Sequence, residues 1–156
     1  MTRRDLGVAV VTAACTLGAA TWARSQGAPP AVMGSNAWDF ASLKATPNKT
    51  GEVRKVFQAP TATLDELECH ITTLNPGETP HAPHQHPDEE VLFLKEGTIE
   101  AIQDGKTIRV GPGSVIFQAA NHLHSVRNVG TTPAVYAVLK WNSPGMLKKK
   151  AATAGE

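Results

Sequence analysis

Short apolar or alternating segments, separated by turn residues, recur along the chain from residue 53 onward. The pattern predicts β-strands at 53–57, 64–74, 89–95, 98–103, 107–110, 114–118, 123–128 and 134–141. Asp104-Gly105 predicts a two-residue hairpin between two of these strands. Helical periodicity is weak throughout, and only residues 37–44 are compatible with a short helix. The pattern therefore predicts an all-β sandwich or barrel.

The first residues predict a targeting segment rather than part of the fold. Arg3 and Arg4 precede a modestly apolar stretch, residues 7–20, which is too short and too weak for a comfortable membrane span. The paired arginines resemble a twin-arginine export signal, with a generic secretory signal or a retained anchor as the alternatives. Cleavage is expected after Ala23 or after Gly27. We therefore expect a periplasmic or secreted protein with no integral membrane anchor in its mature form.

The remainder of the chain has the size of one domain. Loss of Arg3, Arg4 and Asp5 with the signal leaves 13 basic and 13 acidic residues, a balance that gives no argument for a nucleic-acid partner. Only Cys69 remains after cleavage, so an intrachain disulfide is excluded. We expect a signal peptide at 1–27, an N-terminal extension with one or more edge strands at 28–63, a barrel at 64–142 and a flexible tail at 143–156.

Histidines and carboxylates cluster in the segment His84-Gln85-His86-Pro87-Asp88-Glu89-Glu90, and His124 follows on a later predicted strand. His84, His86 and Glu90 are separated by even numbers, so on an extended chain their side chains share one face. Three imidazoles and a carboxylate are typical ligands of a divalent transition metal. Fe or Mn is expected first, with Ni and Zn as alternatives. A histidine-rich loop that binds metal adventitiously is the competing interpretation.

Two segments resemble the two signature motifs of the cupin family. They are Gly77 … His84-x-His86-x-x-x-Glu90 … Gly97 and Gly113 … His124-Ser-Val-Arg-Asn128. The spacing between Gly77 and His84 is one residue longer than usual, and a proline directly precedes Gly113. The resemblance covers about residues 64–141. It implies a cupin double-stranded β-helix, or jelly-roll barrel, with a metal near one mouth and with His84, His86, Glu90 and His124 as its ligands.

Residues beside the motifs extend the candidate site. His122 lies two positions before His124, and it is either a proton-moving residue in the same cavity or a loop residue at the rim. We take Glu90 and His122 as the candidate catalytic residues. Glu89 is out of phase with Glu90 and should point away from the metal. Asn128 should hold a turn rather than the metal.

The expected cavity is mostly apolar, with lining or wall residues Leu92, Leu94, Phe117, Val126, Tyr136 and Trp141. This lining favours a small neutral or aromatic organic substrate. The leading hypothesis is an exported metal-dependent oxygenase that acts on such a compound. A redox-neutral lyase, isomerase or hydrolase, and a non-catalytic metal-binding or small-ligand-binding protein, are the alternatives. We expect a homodimer in which residues 38–57 add a strand to a neighbouring subunit.

Overall fold

The computed structural model describes residues 31–146. The predicted export signal with both cleavage sites, and the predicted tail from residue 147 onward, lie outside the described residues. Within residues 31–146 no helix has the length and apolar character that a membrane crossing would need.

The described residues form two antiparallel sheets and one short 3-10 helix at Phe40–Ser42. The strands are β1 (Thr46–Asn48), β2 (Gly51–Ala59), β3 (Glu66–Leu74), β4 (Glu89–Glu96), β5 (Ile99–Gln103), β6 (Lys106–Val110), β7 (Val115–Gln118), β8 (His124–Asn128) and β9 (Ala134–Asn142). One sheet has the order β1-β2-β3-β9-β4-β7, and the other has the order β6-β5-β8. The predicted all-β architecture is confirmed, and each predicted strand is present with its bounds shifted by a few residues.

Two local features lie near the N-terminal side of the fold. Of residues 37–44, which the sequence makes compatible with a short helix, only Phe40–Ser42 form a single 3-10 turn, which buries no residue and has no side-chain hydrogen bond at its N-cap. A helix this short without tertiary packing is unstable. Strand β1 lies at the edge of the larger sheet within residues 28–63, where one or more edge strands are expected. The side chain of Asn48 accepts a hydrogen bond from the Thr50 amide and closes the turn into β2.

The inner face of the larger sheet changes from apolar to polar along its strands. Alternate residues of each strand share this face, and the register aligns them in rows across the sheet. One row contains Thr72, Tyr136 and Leu94, and the next contains His70, Val138, Leu92 and Ile116. A third row, which we call the polar row, contains Glu68, Lys140, Glu90 and Gln118. The fold therefore places an apolar core at one end of the sandwich and charged side chains at the other.

Two turns hold the strands in this arrangement. Asp104 and Gly105 have φ angles of 48° and 79°, which confirms the predicted two-residue hairpin between β5 and β6. Asn128 is fully buried, and its side-chain amide donates to the carbonyl oxygens of Leu74 (2.8 Å) and Thr132 (2.9 Å). Its Oδ1 accepts from the Gly130 amide at 2.9 Å. The prediction that Asn128 holds a turn is confirmed.

Candidate metal centre

Backbone hydrogen bonds hold the segment that contains His84 and His86 against the start of β8. The amide of His84 donates to the carbonyl oxygen of His124 (3.1 Å), and the amide of His124 donates to that of His84 (2.9 Å). The Asn121 amide donates to the carbonyl oxygen of His86 at 2.7 Å. Residues 84–86 are therefore an extended loop paired with the start of β8, and not a full strand. This backbone pairing places the side chains of His84 and His86 on one face, as the sequence predicts.

The three imidazoles predicted as metal ligands meet at one point. Each of His84, His86 and His124 offers a ring nitrogen within 4.8 Å of the others. Their ring centroids are 4.7 Å to 5.2 Å apart. We call this group the three-histidine cluster. These residues could hold a metal ion, as the sequence predicts.

The hydrogen bonds of the rings suit the cluster to metal binding. Nδ1 of His124 lies 2.8 Å from the carbonyl oxygen of His122, and Nδ1 of His86 lies 3.2 Å from that of Asp88. A carbonyl oxygen only accepts, so both rings carry a hydrogen on Nδ1, which leaves Nε2 as the nitrogen that could bind a metal. Nε2 of His124 and Nδ1 of His84 are buried and have no hydrogen-bond partner. Buried nitrogens without a partner are costly unless a ligand uses them, so the donor set fits a transition metal.

Electrostatics also favour neutral, ligating imidazole at His84. Burial lowers the pKa of His84 below its ordinary value, and the nearby His81, His124 and His86 rings lower it further, while Glu90 opposes the shift. A neutral imidazole keeps the lone pair that a metal requires.

Glu90 joins the cluster from the opposite sheet. It lies at the start of β4, and its Oε1 is 3.1 Å from Nε2 of His86. Glu89, the next residue, accepts a hydrogen bond from the Trp141 indole at 3.0 Å and lies on the outer face of the sheet. The expectation that Glu89 points away from the cluster is confirmed. Glu90 as a fourth metal ligand stays a prediction.

A cavity of about 260 Å³ opens beside the cluster. His84, His86 and Glu90 line it on one side. Its other walls combine apolar and polar side chains, among them Leu92, Val126, Val138, His70, Tyr136, Lys140 and Gln118. The buried His124 lines an adjoining groove instead, and Gln118 borders both spaces. The volume lies just below the range typical of pockets for drug-sized ligands.

The predicted apolar lining is correct only in part. Leu92, Val126 and Tyr136 line the cavity. Phe117 does not, since it alternates with the buried Ile116 and Gln118 and is 50% exposed on the other face of β7. Trp141 bonds to Glu89 on the outer face of the sheet, and Leu94 is buried in the apolar core.

His122 is not among the residues that line the cavity. Its side chain is exposed at the rim, and its Nδ1 lies 2.7 Å from the Asp104 carboxylate. The hydrogen bond with His122 is the main cause of a lowered pKa at Asp104. Desolvation opposes it, while the charge of His122 and the Leu123 amide lower the pKa further. The structure supports the rim interpretation of His122, whose backbone carbonyl orients His124 while its imidazole faces solvent.

Several cavity residues lie outside the sequence motifs. Glu68 holds Nδ1 of His70 at 2.7 Å and Nζ of Lys140 at 3.5 Å, and both partners line the cavity. Tyr136 is 3% exposed, and its pKa is raised because burial disfavours the phenolate, although a hydrogen bond with Thr72 opposes this. The alternation of β3 and β9 placed these residues on one face of each strand, but it did not show that the two strands are neighbours.

Comparison with known proteins agrees with this architecture. The family model described as a cupin domain matches residues 70–140. The cupin domain of Cnp3 from Schizosaccharomyces pombe superimposes with a TM-score of 0.60 at 11% identity, over 74% of this chain and 80% of that one. The polyketide cyclase RemF from Streptomyces resistomycificus gives a TM-score of 0.58 at 20% identity, over 70% and 82% of the two chains. At these identities the likeness shows the fold alone.

One relative is similar in sequence over a short stretch. The dimethylsulfoniopropionate lyase DddQ of Ruegeria pomeroyi is 40% identical over 45 residues, which is 28% of this chain and 22% of the lyase. The chain therefore matches about a fifth of that protein's length.

Proposed function

We propose, from the match of residues 70–140 to a cupin-domain model and the likeness to the cupin fold, that this chain is a metal-dependent enzyme acting on a small organic substrate. One observation carries the proposal: the rings of His84, His86 and His124 converge beside a cavity of about 260 Å³, and His84 and His124 each have a buried ring nitrogen without a hydrogen-bond partner. A site that only stabilised the fold would need no adjoining cavity, because structural metal sites are closed by protein ligands.

The three-histidine cluster and Glu90 would hold one divalent transition metal, with Fe or Mn ahead of Ni and Zn. When bound with open coordination positions, such an ion supplies Lewis-acid polarisation of a substrate oxygen or activation of dioxygen. The protein's part is to orient the substrate and move protons. Glu90 is placed to accept a proton, since its carboxylate lies at the border between the cluster and the cavity.

The specific reaction we propose first is oxygenation of the substrate. Mixed imidazole and carboxylate ligation with open positions is typical of non-haem oxygenases. A redox-neutral lyase, isomerase or hydrolase is the second candidate, and two observations favour it. One is the stretch of similarity to a lyase. The other is the set of proton-bearing groups in the cavity wall, with His70 held by Glu68 beside Lys140.

The experiment compares turnover with and without dioxygen. The protein is loaded with Fe(II) or Mn(II) under argon and mixed with a panel of catecholic, flavonol-like and carboxylic compounds, and products are identified by mass spectrometry. An oxygenase forms product only after dioxygen is admitted and incorporates label from ¹⁸O₂. Equal turnover under argon overturns the oxygenase assignment and supports redox-neutral chemistry.

The matched control is His84→Ala, which removes one imidazole of the cluster. This variant should lose both metal and turnover. If the wild-type protein binds compounds of the panel tightly but converts none of them, the enzyme proposal fails in favour of a binding protein.

Two further proposals concern the cellular context. We propose that the protein is exported through the twin-arginine route, which translocates folded proteins, so that the metal is loaded before export.

We also propose a homodimer. Its test is the molar mass in solution by light scattering, and a monomeric mass would refute it.

A further inference from the structure

Lys140 supplies positive charge inside the cavity wall. It lies on the inner face of β9, and its side chain is 30% exposed. Among the described residues that line this cavity, Lys140 is the only lysine, and no arginine lines it. Its register partners across the sheet are Glu68 on β3 and Glu90 on β4, so it stands between the two acidic members of the polar row. Lys140 is therefore one strand away from Glu90 and the three-histidine cluster.

Glu68 holds this lysine in place without using all of its hydrogen bonds. The distance from Nζ of Lys140 to Oε2 of Glu68 is 3.5 Å, longer than a good charged hydrogen bond. Glu68 makes its closer contact with His70, at 2.7 Å. An ammonium group carries three donors, so donors of Lys140 remain for a ligand in the cavity. A partly buried ammonium gains most from a ligand that carries the opposite charge.

We propose that the substrate of this site is a small organic carboxylate and that Lys140 binds its carboxylate group beside the metal centre. This inference rests on the proposed function, because it names the substrate class of the same site. Leu92, Val126 and Val138 supply the apolar wall against which a short carbon skeleton would lie. The neutral substrate favoured by sequence alone gives no role to this lysine.

The surroundings favour a monoanionic carboxylate over a phosphate. Glu68 and Glu90 lie on either side of Lys140 and would repel a dianion. Phosphate sites usually combine arginine or several backbone amides at a helix N-terminus. The described cavity residues come from strands and loops, and a single lysine faces the cavity. The cavity of about 260 Å³ further restricts the ligand to a small acid.

The test measures binding rather than turnover. Protein loaded with redox-inert Zn(II) is titrated by calorimetry with propionate and benzoate, and with propionamide and benzamide as neutral isosteres. We expect the acids to bind at least about tenfold more tightly than the amides, and Lys140→Gln to remove this preference, since a hydrogen bond to a charged group is worth about 1.5–3 kcal/mol. Lys140→Arg keeps the charge and should retain most of the preference.

Lys95→Gln is the control, because the Lys95 side chain is 66% exposed and lies outside this cavity. It should leave acid binding unchanged. Equal affinity for acids and amides, undetectable binding of both acids, or an unchanged preference in Lys140→Gln overturns the inference. Metal content is measured on the same samples. A wild-type protein that takes up no stoichiometric metal contradicts the proposed function. A wild-type protein with full metal content that shows no preference for acids contradicts the carboxylate inference alone.

Discussion

The ring nitrogen Nδ1 of His124 lies 2.8 Å from the backbone carbonyl oxygen of His122. The orientation of a buried imidazole of the three-histidine cluster is thus set by the main chain of a residue whose own side chain is exposed. The same arrangement recurs between His86 and the carbonyl oxygen of Asp88. Because a carbonyl is present whatever the side chain, this support does not depend on an imidazole at position 122.

This relationship predicts that two histidines close in sequence differ sharply in their effect on metal binding. His124→Ala removes a ring of the cluster and should reduce bound metal from about one ion per chain to nearly none. His122→Ala keeps the supporting carbonyl and should retain full metal content. Elemental analysis of both purified variants measures the difference. Stoichiometric metal in His124→Ala would contradict the assignment of the cluster.

Glu90 should contribute to metal affinity from the other sheet. Its Oε1 lies 3.1 Å from Nε2 of His86, so a metal bound at the cluster would be within reach of this carboxylate. We expect Glu90→Gln to weaken metal binding about 10-fold to 100-fold, as measured by competition with a chelator. Glu89→Gln is the matched control, because Glu89 bonds to Trp141 on the outer face. Equal affinities in the two variants would show that the histidines alone make the site.

Glu68 should make the stability of the fold depend on pH. Burial raises the pKa of Glu68, but the hydrogen bond with His70 and the charges of His70 and Lys140 outweigh it, and the net pKa is lowered. A carboxyl group with a lower pKa in the folded state stabilises the fold above its unfolded pKa, and this contribution is lost as pH falls through the folded pKa.

Glu68→Gln should therefore reduce the free energy of unfolding by about 1 kcal/mol at neutral pH. The difference from the wild type should shrink at pH values below about 4. Urea unfolding of metal-stripped protein at several pH values measures it. Glu96→Gln, at an exposed pair with Lys95, should show little effect at any pH. A Glu68 effect that grows toward low pH would contradict the sign.

Two glycines with similar backbone angles should tolerate a side chain very differently. Gly97 has φ +88° and Gly105 has φ +79°. A Cβ on Gly97 would lie 2.6 Å from the Cα of Ala134, whereas a Cβ on Gly105 would meet nothing within 4 Å. Gly105→Ala should cost about 1 kcal/mol, for the left-handed backbone alone. Gly97→Ala should cost clearly more, as measured by thermal unfolding, and equal losses would show that the strands separate freely.

Eight of the nine strands in residues 31–146 and the histidines of the cluster could be predicted, because most of their signals are local. Alternation and turn residues place each predicted strand within a few residues of its observed bounds, and the hairpin at Asp104 and Gly105 follows from two adjacent residues. His84 and His86 are two positions apart, whereas His124 is assigned to the cluster through the resemblance of its segment to the second cupin motif. The backbone bridge between His84 and His124 then brings the distant ring to the other two.

The cavity walls could not be predicted, because they depend on which strands are neighbours. Glu68, Glu90 and Lys140 are far apart in sequence and meet only because β9 lies between β3 and β4. Strand alternation assigns a residue to a face but does not identify the adjacent strand. Phe117 shows the opposite error, since its apolar character predicts burial although its position on β7 exposes it.

The reciprocal backbone hydrogen bonds between His84 and His124 link the dynamics of the fold to the metal. His84 and His124 carry two of the three imidazoles, and the amide of each donates to the carbonyl oxygen of the other. An opening that exposes these amides therefore also separates the rings. An ion bound only by the closed form would suppress that opening in proportion to its affinity. Amide hydrogen exchange at these two positions should therefore slow on metal loading, while the hairpin of β5 and β6 keeps its rate. A metal bound at the cluster would then limit how often this mouth of the barrel opens.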